Sequence, residues 1–266
     1  MPLLLALVVT LITLISVGVF AARIWWFPPD ISTHGAAIDH QIVLTMFITG
    51  IVFVLAQLAL AYLIFRHRDR GDGTRAEFFR GNNKMEYAWT VAAAILFIGL
   101  NLMGYRTWAG IHFMGPDPGA MQVEVWGQQF AWYFRYPGPD GKFGPVHVEK
   151  VSDSTANYLG LDRDKDADSK DDIVTSTFGV PVNRPVEIIL RSKDVTHSFW
   201  VRELRLKQDL VPGMIIPMHF TATKTGRFEI ACVELCGLGH YKMRAFFQVQ
   251  SDEDFTKWLQ SMAEAQ

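Results

Sequence analysis

The chain has 266 residues, a formal net charge of -2 and a hydrophobic fraction of 50%. The near-neutral charge gives no electrostatic support for binding to nucleic acid, which depends on an excess of clustered Lys and Arg. Two cysteines are too few for the disulfide framework of a small secreted protein. The length allows several membrane segments together with one domain of medium size.

Three apolar segments near the start of the chain predict transmembrane helices. They cover residues 2–22, 41–65 and 87–105, and each approaches the roughly 20 residues that a helix needs to cross a bilayer. We expect a first transmembrane helix within residues 1–26 and a helical hairpin within residues 40–106, because a helix satisfies its own backbone hydrogen bonds in lipid. The first segment also fits a cleaved signal sequence. The absence of a basic start favours the helix.

The loop at residues 66–86 predicts the orientation of these helices. It contains several basic residues, and short loops rich in Lys and Arg stay in the cytoplasm: Arg66, Arg68, Arg70, Arg75, Arg80 and Lys84. Everything after Arg106 then lies outside the cytoplasm. Four tryptophans fall near the ends of the apolar segments, as is typical of residues at a membrane interface: Trp25, Trp26, Trp89 and Trp108. We therefore expect a multi-pass protein of the bacterial plasma membrane, embedded in the lipid bilayer.

Residues 115–250 have the pattern of a β domain on the extracytoplasmic side. Polar and apolar residues alternate at 121–126, 185–190, 227–232 and 243–249, and each segment is bounded by Gly or Pro. Several short strands without intervening helices predict a barrel or a sandwich. The sequence Ser-Asp-Glu-Asp from residue 251 predicts the start of a closing helix over residues 251–266.

An acidic stretch at residues 162–172 interrupts this pattern. Its low apolar content predicts an exposed, solvated loop. The Asp-x-Asp-x-Asp spacing is similar to that of a calcium-binding loop. Ala167 and Ile173, however, occupy the positions where such a loop needs Gly and Glu, so we do not expect a calcium site.

The two cysteines lie four residues apart, and they are followed by two further soft ligands. Cys232 and Cys236 could form a disulfide outside the cytoplasm. His240 and Met243 follow them, and thiolate, imidazole and thioether together favour copper over zinc. A second cysteine can bridge two copper ions, which then need a second imidazole, and His197 is the candidate. The other histidines lack such a context and are expected to be structural or on the surface: His34, His40, His67, His112, His147 and His219.

The pattern Cys-x-Glu-x-Cys-Gly-x-x-His-x-x-Met at residues 232–243 resembles the dinuclear copper site, called CuA, of cytochrome c oxidase subunit II. Segments at 85–90, 194–200 and 206–213 are also similar to that family, and the similarity extends from about residue 35 to residue 249. The resemblance implies a membrane-anchored α plus all-β protein. Its N-terminal transmembrane helices would precede a cupredoxin-like Greek-key β-barrel.

The resemblance also implies a set of metal ligands. In this set the cysteines bridge the coppers, each histidine binds one copper, Met243 is a weak ligand and Glu234 contributes its backbone carbonyl: His197, Cys232, Glu234, Cys236, His240 and Met243. The Glu234 side chain is implied to reach a magnesium ion shared with subunit I, with Asp209 near the same interface. Glu86 matches a carboxylate at the mouth of a proton channel.

In that family, subunit II accepts electrons from a c-type cytochrome or an equivalent protein donor. It passes them to haem in subunit I, where oxygen is reduced to water and protons are translocated. Phe130 stands where many relatives carry the tryptophan that receives electrons, which leaves Trp132 and Trp126 as further candidates. No Cys-x-x-Cys-His motif is present, so no covalent haem is expected. Two alternatives remain open: a CuA-containing nitric oxide reductase subunit, and a membrane-anchored copper-binding protein without an electron-transfer role.

Overall fold

The computed structural model describes residues 1–73, 75, 77–78 and 80–266, and it separates into two compact units. The first unit contains residues 1–27 and 37–106, and the second contains residues 28–36 and 107–266. The loop predicted to be cytoplasmic, residues 66–86, includes three positions that lie outside the described residues. The orientation of the chain in the membrane therefore stays a prediction.

The three apolar segments are confirmed as helices. They are α1 (Pro2–Ala21), α2 (Gly35–Arg66) and α3 (Asn83–His112). Their most apolar windows have mean hydropathies of 2.8, 2.4 and 1.6, and each helix is long enough to cross a membrane. Two of them extend beyond the apolar segments. At the start of α3 the reason is local, because the Asn82 side chain accepts a hydrogen bond from the backbone N–H of Lys84 (3.1 Å).

The second unit is a β domain of ten strands and a closing helix within the described part of the chain. The strands are β1 (Met121–Gln128), β2 (Ala131–Tyr136), β3 (Ile173–Thr175), β4 (Thr177–Pro181), β5 (Pro185–Ser192), β6 (His197–Val201), β7 (Leu206–Leu210), β8 (Ile216–Thr221), β9 (Gly226–Cys232) and β10 (Arg244–Gln250). They form two five-stranded sheets, in the orders β3-β2-β1-β5-β8 and β4-β10-β9-β6-β7. All four segments with clear alternation are confirmed as strands.

The core of this domain lies between the two sheets. Phe178 on β4 stacks on Phe134 of the opposite sheet, with 5.1 Å between ring centroids, and it lies 5.1 Å from Phe247 on its own sheet. Both sheets are mixed, because β1 runs parallel to β5 and β4 runs parallel to β10. The architecture agrees with the expected cupredoxin-like class. Alternation in the sequence could not foresee the parallel pairs, because it gives the faces of a strand and not the direction of its neighbour.

The closing helix is confirmed as α5 (Asp252–Glu264). Ser251 begins it as expected, since its hydroxyl accepts a hydrogen bond from the backbone N–H of Asp254 (3.1 Å). The helix packs through Trp258, whose ring lies 5.7 Å from that of Tyr136. The Tyr136 hydroxyl in turn donates to the carbonyl of Gly179 (2.9 Å). Gly179 is required here because a Cβ atom at this position would lie 2.5 Å from the Trp258 ring.

The expectation of a solvated loop at residues 162–172 was wrong in part. Asp172 is fully buried and forms an ion pair with the buried Arg135 of β2. Asp162 pairs with Lys150, and Asp166 caps a short helix at residues 167–170. The low apolar content of this stretch concealed its burial, because the buried groups are charges that neutralise each other. Asp162, Asp166 and Asp172 therefore each contact a cation or a backbone N–H group of the chain itself.

We predict that Gly179→Ala destabilises the β domain. The new methyl group overlaps the Trp258 ring, so α5 must shift, and we expect a loss of about 1–3 kcal/mol in the free energy of unfolding. Urea titration of the full chain in detergent, followed by tryptophan fluorescence, measures the change. Gly115→Ala is the matched control, because no atom lies within 4 Å of its added Cβ. Equal stability of the two variants would contradict the role given to Gly179.

Candidate metal centre

The loop that carries both cysteines, residues 232–243 (the cysteine loop), and His197 meet at one end of the β domain. His197 is the first residue of β6 and Cys232 is the last residue of β9, and these strands are antiparallel neighbours with Phe199 opposite Cys232. Cys236, His240 and Met243 lie on the connection from β9 to β10. The start of one strand and the end of its antiparallel neighbour share a sheet edge. The topology therefore brings His197 to the cysteines across 35 residues of sequence.

The side chains converge on a small volume. The Sγ atoms of Cys232 and Cys236 are 3.9 Å apart. His197 Nδ1 lies 3.9 Å from Cys232 Sγ, and His240 Nδ1 lies 3.7 Å from Cys236 Sγ. The sulfur of Met243 is 3.7 Å from Cys236 Sγ, while the carbonyl oxygen of Glu234 is 3.2 Å from Cys232 Sγ. All six residues singled out in the sequence are thus brought together.

These separations fit ligands that share a metal. A sulfur and a nitrogen bound to one ion at bond lengths of about 2.3 and 2.0 Å lie about 3.5–3.7 Å from each other. The donor atoms of His197, Cys232 and Cys236 all fall within 4.8 Å of one another, and the three residues are buried. The cysteines are free thiols rather than a disulfide. A soft, enclosed set of sulfur and imidazole donors suits copper.

The two thiols differ in acidity because they share one site. Burial alone would raise the pKa of Cys232, but hydrogen bonds led by that from His197 lower it to about 6. Burial and the neighbouring Cys232 raise the pKa of Cys236 to about 11. The first thiolate forms readily and opposes the second, since like charges at this distance repel. A cation between the sulfurs removes that repulsion, so the pair is suited to a metal.

Asp194 holds the ring of His197, a role that the sequence did not reveal. Its Oδ1 accepts a hydrogen bond from His197 Nε2 (2.8 Å), and its Oδ2 accepts one from the backbone N–H of Gln129 (2.8 Å). Because a carboxylate can only accept, Nε2 carries the proton and Nδ1 faces Cys232. Burial alone would lower the pKa of His197, but its hydrogen bonds to Cys232 and Asp194 raise it. An acidic residue three positions before a candidate histidine was the available signal.

The turn between β1 and β2 clamps the cysteine loop. The Gln129 side chain donates a hydrogen bond to the carbonyl of Cys236 (2.6 Å). The Phe130 ring packs against Gly239, where a Cβ atom would lie 2.5 Å from the ring. The absence of a side chain at Gly127 likewise leaves room for His197, since a Cβ atom there would lie 2.9 Å from the imidazole. The close approach of these segments requires glycine at both positions.

The three aromatic candidates for receiving electrons occupy different places. Phe130 is 40% exposed, and its ring packs against Gly237 and Gly239 of the cysteine loop. Trp132 is 2% exposed and makes an edge contact with His197 (6.1 Å between centroids). Trp126 is 9% exposed, and its Nε1 donates to Glu124 (2.9 Å). It follows from strand alternation that Trp126 and the His197-facing Gly127 lie on opposite faces of β1. Phe130 and Trp132 are therefore the better placed pair.

The acidic residues with implied roles lie outside this cluster. Glu234 is exposed while its carbonyl faces Cys232. Asp209 is opposite Ser198 on the paired strands β6 and β7, and Ser198 also receives a backbone hydrogen bond from Val233 (3.1 Å). The facing Ser198 side chain lowers the pKa of Asp209, and so does Lys207, whose Nζ donates a hydrogen bond to Asp209 Oδ1 (3.0 Å). Glu86 lies in the first turn of α3 and is exposed.

Comparison with known proteins identifies the family. A family model described as cytochrome c oxidase subunit II, periplasmic domain, matches residues 121–249. The alternative cytochrome c oxidase subunit 2 of Bradyrhizobium diazoefficiens is 37% identical over 257 residues, which cover 96% of this chain and 90% of that protein. The chain belongs to the cytochrome c oxidase subunit II family.

Other relatives are more distant. Cytochrome c oxidase subunit 2 of Cereibacter sphaeroides is 25% identical, over 88% of this chain and 78% of that protein. The crystal structure of the periplasmic domain of subunit II from Bradyrhizobium japonicum is similar with a TM-score of 0.41 and 26% identity, over 57% of this chain and 97% of that domain. The family match, the 37% identical relative and the three apolar helices show that the chain is a membrane-anchored subunit of a haem–copper oxidase complex, in a family that carries a copper centre.

We predict that Asp194→Asn weakens copper binding about 10- to 100-fold, the usual effect of losing a residue that orients a ligating histidine. Asparagine has one acceptor oxygen, so it cannot serve both His197 Nε2 and the N–H of Gln129. Competition with a copper chelator, at matched protein concentration, gives the affinity. The control is Asp164→Asn, which removes the charge of an exposed residue. Unchanged affinity in the first variant would show that His197 needs no such support.

Proposed function

We propose that this subunit accepts electrons from a c-type cytochrome at a dinuclear CuA centre and passes them to haem in subunit I, with its β domain outside the cytoplasm of a bacterial plasma membrane. The observation that carries the proposal is the convergence of two thiols, two imidazoles, one thioether and one carbonyl at the end of β9. A single copper ion would not use all six of these donor groups. Two thiols at the centre, with one imidazole beside each, suit a pair of coppers.

The chain's own groups would hold such a pair with little freedom to move. Cys232 and Cys236 would hold the metals through their sulfurs, with His197 beside the first sulfur and His240 beside the second. Met243 and the Glu234 carbonyl would complete the set as weaker ligands. The bound pair would supply a site that takes up one electron at a time. Electron transfer is fast when ligands move little, and the fixed Asp194 and Gln129 contacts provide that rigidity.

An electron-transfer role is favoured over copper delivery by the burial of the ligands. Cys232, Cys236 and Met243 are 6%, 3% and 2% exposed, and His197 is inaccessible. A carrier must release its metal to a partner, which needs ligands that the partner can reach. Among the ligand side chains, that of His240 is partly exposed. Buried ligands suit a permanently bound metal, which exchanges electrons with a partner without leaving the site.

The surface around the loop provides a docking area for the donor. Leu235, Leu238 and Tyr241 of the cysteine loop are 77%, 94% and 78% exposed, and Phe130 lies beside them. Large exposed apolar groups near one another are typical of an interaction site. We propose that the donor docks here, with Phe130 and then His240 on the path to the metals. The Glu234 carboxylate would reach a magnesium ion shared with subunit I, and Asp209 would lie near the same interface. Glu86 would lie at the mouth of a proton channel.

Electron paramagnetic resonance tests the dinuclear centre directly. We expect the copper-loaded full chain in detergent to bind two coppers and to give the multiline spectrum of one unpaired electron shared by two equivalent nuclei. Cys236→Ser is expected to abolish that spectrum, because one of the two sulfur ligands is lost. A spectrum from a single copper nucleus in the unmodified protein would contradict the proposal. Copper content by elemental analysis separates an empty site from a silent one.

We predict that Phe130→Leu slows reduction of the centre by a reduced c-type cytochrome about tenfold, because an aromatic contact at the docking area is lost. The second-order rate constant is measured by stopped-flow absorbance on the assembled oxidase. The spectrum of the copper centre should not change. Phe246→Leu, on β10 away from the loop, is the control and should react at the normal rate. A normal rate in the Phe130 variant would place the docking area elsewhere.

A further inference from the structure

The connection between α1 and α2 lies along an edge of the β domain. Strand β8 is the last strand of its sheet, and such an edge presents backbone groups that no further strand covers. Residues 28–34, which we call the docked segment, run antiparallel beside the end of β8, with Ser32 paired to Ala222. They belong to the same compact unit as the β domain. The docked segment therefore serves as a short additional strand on this edge.

Backbone hydrogen bonds hold the docked segment on two sides. The N–H of Thr33 donates to the carbonyl of Thr221 (3.1 Å), and the carbonyl of Ile31 accepts from the N–H of Thr223 (2.7 Å). The N–H of Ile31 donates to the carbonyl of Glu203, in the turn that precedes β7 (3.1 Å). The Ile31 side chain is buried and anchors the segment. These contacts distinguish the segment from a free linker.

Two cations also bind the docked segment. Arg205 Nη2 donates to the carbonyl of Pro28 (2.7 Å), and Lys224 Nζ donates to the carbonyl of Asp30 (2.7 Å). The Asp30 side chain is the one acid in the segment, and its Oδ1 accepts from the N–H of Ser32 (3.0 Å). Docking therefore brings two positive charges to a segment with one negative charge. A further positive charge at this place is unfavourable.

His34 ends the docked segment just before α2. Its Nε2 donates to the carbonyl of Leu204 (2.9 Å), which also accepts from the hydroxyl of Ser32 (3.1 Å). A carbonyl can only accept, so Nε2 carries the proton of the neutral ring and a second proton must go to Nδ1. Burial lowers the pKa of His34 below its ordinary value of 6.5, although the Leu204 carbonyl and Asp30 favour the charged form. A neutral His34 thus fits the docked position better than a charged one.

A second imidazole lies close to His34. His219 on β8 interacts electrostatically with it and adds to the lowering of its pKa. His112, the last residue of α3, also lies near His219. The acid that faces His219 is Glu187 of β5, which is opposite it in the strand register and accepts from Gln122 (2.7 Å). Docking therefore places His34 beside a group that becomes positive in the same pH range.

We propose that the docked segment is a pH-dependent latch, which covers the edge of β8 while His34 is neutral and leaves it when His34 becomes charged. A histidine that is harder to protonate in the docked state favours docking above its ordinary pKa of 6.5, and this preference is lost as the pH falls below that value. The latch goes beyond electron transfer. It rests on the proposed function only for its setting, because we place the β domain on the side where translocated protons would be released.

Hydrogen–deuterium exchange of the full chain in nanodiscs, at pH 7.5 and at pH 5.5, tests the latch. The peptide that covers residues 28–34 reports the hydrogen-bonded amides of Ile31 and Thr33. After correction for the intrinsic effect of pH on exchange, we expect protection to fall at least about threefold at the lower pH. A peptide from β10 should keep its protection. Equal protection of the docked segment at both pH values would refute the proposal.

A substitution assigns the response to His34. His34→Gln keeps a donor for the Leu204 carbonyl but takes up no proton, so the segment should stay protected at pH 5.5. The matched control is His147→Gln, on the connection between β2 and β3, and it should respond to pH as the unmodified chain does. A full response to pH in His34→Gln would overturn the proposal.

Two further substitutions decide the matter if His34→Gln no longer docks. His219→Gln removes the neighbouring imidazole and leaves the Leu204 contact in place, so the response to pH should become smaller, and an unchanged response would count against the latch. Ile31→Ser removes the buried anchor and should release the segment at both pH values. Protection that survives this change would contradict docking. None of these measurements depends on copper or on electron transfer, so failure of the latch and failure of the proposed function can be told apart.

Discussion

The repulsion between two thiolates is the constraint on which the rest of this site depends. Cys232 and Cys236 hold their sulfurs 3.9 Å apart, close enough that ionising one opposes ionising the other. Such a pair is stable only when positive charge lies beside it, either as His197 or as metal. The protein therefore has to bring imidazoles to both sulfurs and keep them there. Each nearby contact can be understood as part of that requirement.

The support comes from three stretches of chain that are far apart in sequence. Strand pairing of β6 with β9 sets His197 next to Cys232, and Asp194 fixes the direction of the imidazole. The β1–β2 turn then ties the two together, because Gln129 contacts both Asp194 and the carbonyl of Cys236. A packed sandwich beneath the loop leaves these groups little room to adjust. The candidate metal ligands thus lie at the rigid end of a β scaffold.

The opposite end of the sandwich is stabilised by a buried ion pair. There the chain between β2 and β3 folds back so that Asp172 neutralises the buried Arg135, and α5 covers the sheets through Trp258. Charge pairing replaces apolar packing, which is why this stretch has so few hydrophobic residues. A cavity of about 760 Å³ lies between α5 and the acidic stretch. One domain therefore has a buried candidate metal centre at one end and a cavity at the other.

The three apolar helices, the four strongly alternating strands and the closing helix could be predicted from the sequence, because hydrophobic length, alternation and helix capping are local signals. The spacing of Cys232, Cys236, His240 and Met243 is also local, whereas His197 was a distant candidate and the Glu234 carbonyl came only from the family resemblance. The contacts of Asp194, Gln129 and Arg135, the positions of Phe130 and Trp132 near His197 and the cysteine loop, and the burial of Asp172 became visible only in the tertiary structure. Those depend on which strands pair, in which direction and on which face, and pairing between distant segments leaves no periodic trace in the sequence.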